Sequence, residues 1–174
     1  MRAKASLDST GSIITAWLYR TVTPSITMQR TTLAATAIDG QAVECARNLH
    51  YNLGTRAVEW IPLPAGVPIG YWRSVGASMH VFAVESFMDE MAKAANNADP
   101  FEFRRRHLDA GTRFRAVLDA ADAMSVTWRN SLPAGRAWGM AIGEAFNTIV
   151  CEVVEISQPV AGSLTIHRVN CVVD

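Results

Sequence analysis

The sequence has little of what marks several common classes of protein, beginning with cysteine. Only three of its 174 residues are cysteines, Cys45, Cys151 and Cys171, and no two of them form a Cys-x-x-Cys pair. An odd number of scattered cysteines argues against an iron–sulfur cluster, a structural zinc site or a dense disulfide framework. We therefore expect reduced, buried thiols.

Net charge is also absent. Sixteen Lys and Arg residues balance sixteen Asp and Glu residues, so the formal net charge at pH 7 is zero. A chain without net charge has no overall field that would attract nucleic acid or an anionic membrane surface, and we expect no nucleic-acid partner. The exception is the basic run Arg104–His107, which we predict to be the solvated side of a short helix.

Long hydrophobic runs are missing as well. No apolar stretch reaches the length of a membrane-spanning helix, and residues 1–8 contain no hydrophobic signal region. The sequence therefore predicts a soluble chain with no transmembrane segment and no recognisable signal, and it leaves the compartment unknown. Because 49% of its residues are hydrophobic and only 18% are charged, the chain can bury one sizeable core, and we expect one folded unit.

Obvious catalytic groups are few. The four histidines are scattered, no two of them have metal-ligand spacing on one helix face, and no serine lies in a nucleophile-elbow context. His80 alone lies beside a promising loop, and we favour a capping or packing role for it. The histidines are His50, His80, His107 and His167.

A glycine-bounded loop, Gly70-Tyr-Trp-Arg-Ser-Val-Gly76, is the feature around which we expect function to be organised. Its glycines allow the backbone to approach a ligand closely, and the free N–H groups at the start of the following helix suit an anionic group. Arg73 adds a planar positive charge. The alternative from these residues alone is an arginine that caps a turn beside two packed aromatic side chains.

The segment Ala77–Ala95 is predicted to be a helix whose apolar stripe faces the core. Its acidic residues Glu85, Asp89 and Glu90 fall mostly off that stripe. The residues of the stripe are Val81, Phe82, Val84, Phe87, Met88, Met91 and Ala95.

Local signals predict elements on both sides of this helix. Strand-forming residues flank the turn 8–11, which indicates a hairpin over 2–22 with Trp17 in the core. A short helix turn is expected over 42–49 and a strand over 56–61. Three prolines between Pro62 and Ile69 indicate a stiff connector that aims the loop.

The second half changes from helical to strand periodicity. Asp99 followed by Pro100 is a strong helix start, with Phe101, Phe103 and Leu108 expected in the core. A further helix is predicted over 113–125, with Phe114, Val117, Leu118, Ala121 and Met124 inward. Strands over 138–148, 149–157 and 164–173 follow. The fold class is therefore α+β, with antiparallel hairpins at both ends of a helical centre.

Three stretches together resemble the molybdopterin-binding large subunit of the xanthine dehydrogenase and aldehyde oxidase family, and the branch of the isoquinoline 1-oxidoreductase beta subunit in particular. They are the glycine-bounded loop, the helical segment Phe82–Ala92 and the segment Asp99–Leu108. The resemblance runs from about Ala3 to Asp174. It covers a small part of the family's large subunit.

The family's loop reads Ala-Phe-Arg-Gly-Phe-Gly, in which the arginine and the residue before it approach the molybdenum cofactor and the second phenylalanine faces substrate. The resemblance implies that Trp72, Arg73 and Ser74 lie at the cofactor and Val75 at the substrate. Ser74 replaces the family's central glycine and Val75 replaces its phenylalanine. These departures argue against a flat purine held by ring stacking.

The resemblance implies an oxidoreductase that hydroxylates N-heterocycles or oxidises aldehydes with oxygen derived from water. It implies a molybdenum–molybdopterin cofactor, in its cytosine dinucleotide form, and two partners, the rest of the large subunit and a small iron–sulfur subunit. Members of the family are often periplasmic and otherwise cytoplasmic.

The sequence lacks the family's catalytic Gly-x-Gly-Glu motif and its other pterin-binding segments, and we predict that Glu144, after Gly143, is an ordinary strand residue. We therefore expect residues 1–174 to be one partial molybdopterin-binding segment, made of 1–69, 70–130 and 131–174. It would hold no catalytic residue and bind the cofactor weakly on its own. The alternative is a non-catalytic α+β structural or interaction module derived from that domain.

Overall fold

Six strands form two separate three-stranded sheets in the computed structural model, which describes residues 1–174, and four α-helices accompany them. The first sheet begins with a hairpin of β1 (Arg2–Leu7) and β2 (Ile14–Thr23). The carboxylate of Asp8 holds the turn, since its Oδ1 accepts from the backbone N–H groups of Ser12 at 2.7 Å and Ile13 at 3.1 Å. The predicted α+β class and N-terminal hairpin are confirmed.

The third strand of this sheet, β3 (Thr55–Pro62), runs parallel to β2. A parallel neighbour needs a long connection, and the chain supplies it with α1 (Ile26–Arg30) and a three-residue 3₁₀ turn, Gln41–Val43. The helix turn predicted over 42–49 is wrong beyond this 3₁₀ turn, because the chain is irregular as far as β3. The parallel pairing was not predicted.

Three helices form the centre of the chain. They are α2 (Ala77–Ala94), α3 (Pro100–Arg106) and α4 (Arg113–Arg129). Asp99 caps α3 as predicted, since its Oδ1 accepts from the N–H groups of Phe101 at 2.9 Å and Glu102 at 3.1 Å. None of the helices combines the length and the apolar character that a membrane crossing requires.

The second sheet is an antiparallel meander of β4 (Arg136–Ala145), β5 (Thr148–Val160) and β6 (Ser163–Val173). This confirms the C-terminal hairpin. Its helix-facing side packs against α2 and α4. Helices and sheets share one hydrophobic core, in which Trp17 is buried as predicted.

The helix stripes are narrower than their sequence patterns suggest. Phe82, predicted in the core, is 75% exposed, and Met124 is 51% exposed. Each helix covers the core on one side only, so apolar residues at the margin of the stripe remain in solvent. The buried apolar residues of α2 are Ala77, Val84, Met88, Met91 and Ala92.

The largest correction concerns charge. Glu85 was predicted to lie mostly off the apolar stripe of α2 and Arg104 on a solvated helix face, but both side chains are buried and form an ion pair, with Arg104 Nε 2.9 Å from Glu85 Oε2. Tyr51 donates its hydroxyl to Glu85 Oε1 at 2.9 Å, and the Ile142 N–H donates to Oε2 at 3.2 Å. The prediction failed because the partners come from elements distant in sequence.

His107, at the end of the same basic run, is also buried. Its Nε2 accepts from the Ile14 N–H at 2.9 Å and its Nδ1 donates to the Phe103 carbonyl at 2.8 Å. His80 has the predicted packing role, because Nε2 donates to the Ala42 carbonyl at 3.1 Å and Nδ1 accepts from the Tyr19 hydroxyl at 2.8 Å. Burial lowers the pKa of both histidines.

The three cysteines are free thiols in different surroundings. Cys151 is buried as expected, and Cys45 is half-buried. Cys171 is exposed on β6, so the expectation of burial is wrong for this residue.

Gly143 sets how closely α2 approaches the second sheet. A Cβ added at Gly143 would lie 2.8 Å from Val81 Cγ1. We expect Gly143→Ala to lower the free energy of unfolding by about 1–3 kcal/mol, because overpacking forces the helix and strand apart. Urea denaturation measures this. Gly139→Ala is the matched control on the same strand, since an added Cβ there meets no atom within 4 Å.

A second substitution tests whether the loss of stability comes from the contact with Val81 or from any added side chain on β4. Val81→Ala removes both methyl groups that the new Cβ would meet, so the double variant with Gly143→Ala should recover part of the loss. A double variant whose loss equals the sum of the two single losses would contradict the proposed contact.

Candidate functional site

The glycine-bounded loop, residues 70–76, lies at the N-terminal end of α2 and is held in place from α1 and the 3₁₀ turn. Gln29 accepts from the Ile69 N–H at 3.2 Å, just before the loop. Within it, Tyr71 donates its hydroxyl to Gln41 Oε1 at 3.0 Å, and the Arg30 guanidinium lies 4.7 Å from the centre of the Tyr71 ring. The start of the loop is therefore fixed to its neighbours.

The start of α2 is not free for an external anion. The Gly76 N–H donates to Glu44 Oε2 at 2.9 Å, and the Ala77 N–H donates to the Ser74 carbonyl at 2.9 Å. A Cβ added at Gly76 would lie 2.8 Å from the Glu44 Cβ, so glycine is needed for this approach. The expected anion site at the helix start is thus occupied by the chain's own carboxylate.

The backbone of the loop is strained at two consecutive residues. Ser74 has a φ of 68° and Val75 a φ of 45°. A positive φ is uncommon for residues other than glycine and costly for a β-branched residue such as valine. Contacts hold the conformation: the Val75 N–H donates to the Trp72 carbonyl at 3.0 Å, and the Ser74 and Ser78 hydroxyls are 2.9 Å apart. Strain of this kind concentrates at functional sites.

The groups predicted to meet the cofactor are presented outward. Trp72 is 81% exposed. Arg73 is exposed, and its guanidinium has neither an ion pair nor a hydrogen bond within the chain. The backbone N–H groups of residues 70–74 have no acceptor in the chain either. This face of the loop thus offers an aromatic surface, one cation and several amide donors.

The four predicted site residues do not line one cavity. Trp72 and Val75 line a groove of about 440 Å³. Ser74 lines a different groove of about 290 Å³, between α2 and the second sheet. Arg73 lies between the two without lining either of them. The structure therefore brings Trp72 and Val75 together and places Ser74 on the opposite side of the loop.

One residue that sequence reasoning missed, Asp39, shapes the larger groove. Asp39 is buried there and accepts from the Ser25 hydroxyl at 2.5 Å and the Gln41 N–H at 3.0 Å. Burial alone would raise the pKa of Asp39, but these hydrogen bonds hold it below its ordinary value. In a sequence, aspartate before glycine is typical only of a turn, and the partners of Asp39 are Ser25, which caps α1, and Gln41 of the 3₁₀ turn.

Relief of the strain at Ser74 is testable by mutation. We expect Ser74→Gly to raise the free energy of unfolding by about 1 kcal/mol, because glycine adopts a positive φ at little cost. Thermal or urea denaturation of the chain measures the change. Ser74→Ala is the control, since it removes the same hydroxyl but keeps a side chain that disfavours a positive φ. If Ser74→Gly were no more stable than Ser74→Ala, the backbone at Ser74 would not be strained.

Glu144 lies on β4 as predicted, opposite Ile149. No group of three or more His, Cys, Asp or Glu side chains in residues 1–174 is arranged to hold a metal ion.

Comparison with known proteins gives one informative match. No protein-family model matches the chain. The chain is similar to the isoquinoline 1-oxidoreductase subunit beta of Brevundimonas diminuta, with 33% identity over 129 residues. The match covers 71% of this chain and 16% of that protein, so the chain spans about a sixth of the relative's length. The similarity relates the chain to an oxidoreductase subunit.

Proposed function

We propose that this chain is a segment of the molybdopterin-binding large subunit of a molybdenum hydroxylase, and that the loop 70–76 holds part of the cofactor. The observation that carries the proposal is the 33% identity over 129 residues with an isoquinoline 1-oxidoreductase subunit. Because that match covers only 16% of the relative, the complete subunit would supply the rest of the site.

The groups on the loop fit an anionic organic cofactor. The Arg73 guanidinium is exposed and unpaired, so it can form charge-assisted, bidentate hydrogen bonds with a phosphate or with pterin oxygens. The unpaired N–H groups of residues 70–74 add donors, and Trp72 adds a ring face. When bound, the cofactor would supply the hydroxylation chemistry with oxygen derived from water, while the protein orients it.

The backbone at Ser74 supports the alignment with the family's loop. The family has glycine at this position, and Ser74 adopts a φ of 68°, a conformation that glycine takes most readily. The same local geometry is therefore kept here with a serine, whose hydroxyl contacts Ser78.

The substrate we propose is an aldehyde or an N-heterocycle that approaches beside Val75. Val75 and Trp72 line one groove, so the substrate-facing and cofactor-facing residues of the proposal share a surface. The small side chain of Val75 leaves that groove wider than a phenylalanine would. The remaining partners of the proposal are the rest of the large subunit, which would cover the exposed side chains of Trp72 and Phe82, and a small iron–sulfur subunit.

Molybdenum content tests this proposal. The 174-residue chain and the intact large subunit that contains it are purified in parallel, and metal analysis is combined with pterin absorbance. We expect about one molybdenum per intact subunit and almost none in the isolated chain, because a cofactor site normally needs several converging segments. Stoichiometric molybdenum in the isolated chain would contradict the segment proposal, and an intact subunit without molybdenum or pterin would contradict the function.

A further inference from the structure

A separate cavity of about 240 Å³ lies where the segment 45–51 meets α2, the first turn of α4 and the end of β4, and no residue of the loop 70–76 lines it. We call it the Glu144 cavity. Most of its wall is apolar or aromatic. The apolar and aromatic residues that line it are Leu49, Tyr51, Val81, Val84, Phe114, Ile142 and Phe146.

Two carboxylates line the cavity, Glu85 and Glu144, and Glu85 is already paired with Arg104. Glu144 Oε2 lies 2.5 Å from His50 Nε2, and both side chains are partly exposed. The His50 ring stacks on Phe114, with ring centres 4.4 Å apart and planes inclined by 20°. Asn48, also at the cavity, makes no hydrogen bond within the chain. The His50 imidazole, a flat ring with an N–H group, thus already stacks on Phe114 and lies within hydrogen-bond distance of Glu144.

The presence of Cys45 beside His50 and Glu144 suggests a thiol nucleophile, but the geometry argues against one. Cys45 Sγ donates to the Glu144 carbonyl at 3.2 Å. Burial, followed by the Glu44 and Glu144 carboxylates, raises the pKa of the Cys45 thiol to about 11. A neutral thiol is a poor nucleophile. The Glu44 and Glu144 carboxylates contribute to this rise in pKa after burial, which agrees with negative charge beside the cavity.

We propose that the Glu144 cavity binds a small planar aromatic cation, such as an amidinium or a protonated amino-heterocycle. Its ring would lie against the exposed ring of Phe146 and the apolar wall, since Phe114 is buried and already covered by the His50 ring. Its N–H groups would donate to Glu144 Oε1, which accepts no hydrogen bond within the chain, and to the side-chain oxygen of Asn48. Charge-assisted hydrogen bonds to a carboxylate are stronger than neutral ones. The cavity contains no residue of the loop 70–76, although Val81, Gly143 and Glu144 also line the groove beside Ser74, and the proposed ligand needs no molybdenum.

The size of the cavity agrees with such a ligand. An apolar cavity of roughly 150 Å³ in another protein accepts benzene, and this cavity of about 240 Å³ is larger and has one polar wall. A single ring with an amidinium group therefore fits without displacement of the core. An anion of the same shape would meet the Glu144 carboxylate and be repelled.

Benzamidine and benzoate are a matched pair of probes, because they share shape and differ in charge. We expect benzamidine, titrated into the isotopically labelled 174-residue chain at pH 7, to shift the backbone amide resonances of residues around the cavity in a saturable way. Benzoate should bind at least about tenfold more weakly. Glu144→Gln should weaken benzamidine binding by about tenfold or more, as expected for loss of a hydrogen bond to a charged group.

Two further variants control the experiment. Glu90→Gln removes one carboxylate from an exposed position of α2 and should leave benzamidine binding unchanged. Phe146→Ser removes an exposed ring from the cavity wall and should weaken binding several-fold in a folded chain, since the core does not depend on it. Equal affinity for benzoate, unchanged affinity of both cavity variants, or resonance shifts confined to other surfaces would each overturn the proposal.

Discussion

Glu85→Ala is expected to lower the free energy of unfolding by about 3–5 kcal/mol, because it leaves the buried Arg104 guanidinium without its main partner. Arg104 is fully buried, and its Nε lies 2.9 Å from Glu85 Oε2. Burial alone would lower the pKa of Arg104, but the Glu85 carboxylate raises this pKa above its ordinary value. The guanidinium therefore stays charged. Its remaining partners are the half-exposed Asp89 carboxylate and the backbone carbonyls of Pro100 and Glu85.

The loss extends beyond one ion pair. Glu85 also accepts from the Tyr51 hydroxyl at 2.9 Å and from the Ile142 N–H at 3.2 Å. The carboxylate thus links α2 to α3, to β4 and to the segment before β3. Alanine would leave a buried hydroxyl and a buried amide unpaired as well, and each such group costs about 1–3 kcal/mol.

Urea denaturation followed by circular dichroism measures the effect, with Glu90→Ala as the control. Glu90 is an exposed acidic residue on the same helix, so its substitution should change stability by less than about 0.5 kcal/mol. A double variant, Glu85→Ala with Arg104→Ala, should lose less than the sum of the two single losses, since both partners are absent. Equal stability of the Glu85 and Glu90 variants would show that the network contributes nothing.

Arg73→Ala, made in the intact large subunit, is expected to reduce molybdenum content and activity together. If the proposed function holds, this exposed guanidinium contributes charge-assisted hydrogen bonds to the cofactor in a closed site. Loss of such a bond costs about 1.5–3 kcal/mol, which corresponds to a fall of about 10- to 100-fold in cofactor affinity. Metal analysis and activity per folded subunit measure the two effects.

Arg106→Ala is the matched control, because Arg106 is also an exposed arginine and lies at the end of α3, away from the loop. It should retain normal molybdenum content. Val75→Phe in the same subunit should keep molybdenum near normal and change the preference between aldehydes and N-heterocycles by about 1–3 kcal/mol. Its melting temperature must be checked, because Val75 already has a positive φ.

The contrast between these variants decides what the loop does. If it only stabilises the fold, Arg73→Ala and Val75→Phe would lower the melting temperature and leave molybdenum content and substrate preference per folded subunit unchanged. That outcome would remove the functional role proposed for both residues.

The sequence by itself determined the elements whose signals are local. The Asp99–Pro100 start of α3 and the turn after β1 were predicted because each depends on side chains that bond to amides a few residues away. The loop 70–76 was also identified from its glycines and its position before a helix. Its exposed Trp72 and Arg73 agree with a surface that meets another molecule.

Only the tertiary structure decided how charged groups and strand neighbours are used. Glu85 and Arg104 are buried because partners from distant elements satisfy them, and no periodicity within one helix records such partners. The parallel pairing of β3 with β2 similarly depends on a connection of about thirty residues whose path the sequence does not specify.

In the loop 70–76, too, local sequence and tertiary contacts determine different properties. Its sequence predicted a free helix start, but Glu44, 32 positions earlier in the chain, occupies the Gly76 N–H. The positive φ of Ser74 and Val75 was equally hidden, since both residues ordinarily avoid that conformation. Local sequence specifies which groups the loop carries, whereas contacts across the fold decide which of them remain available, because pairing depends on distance in space.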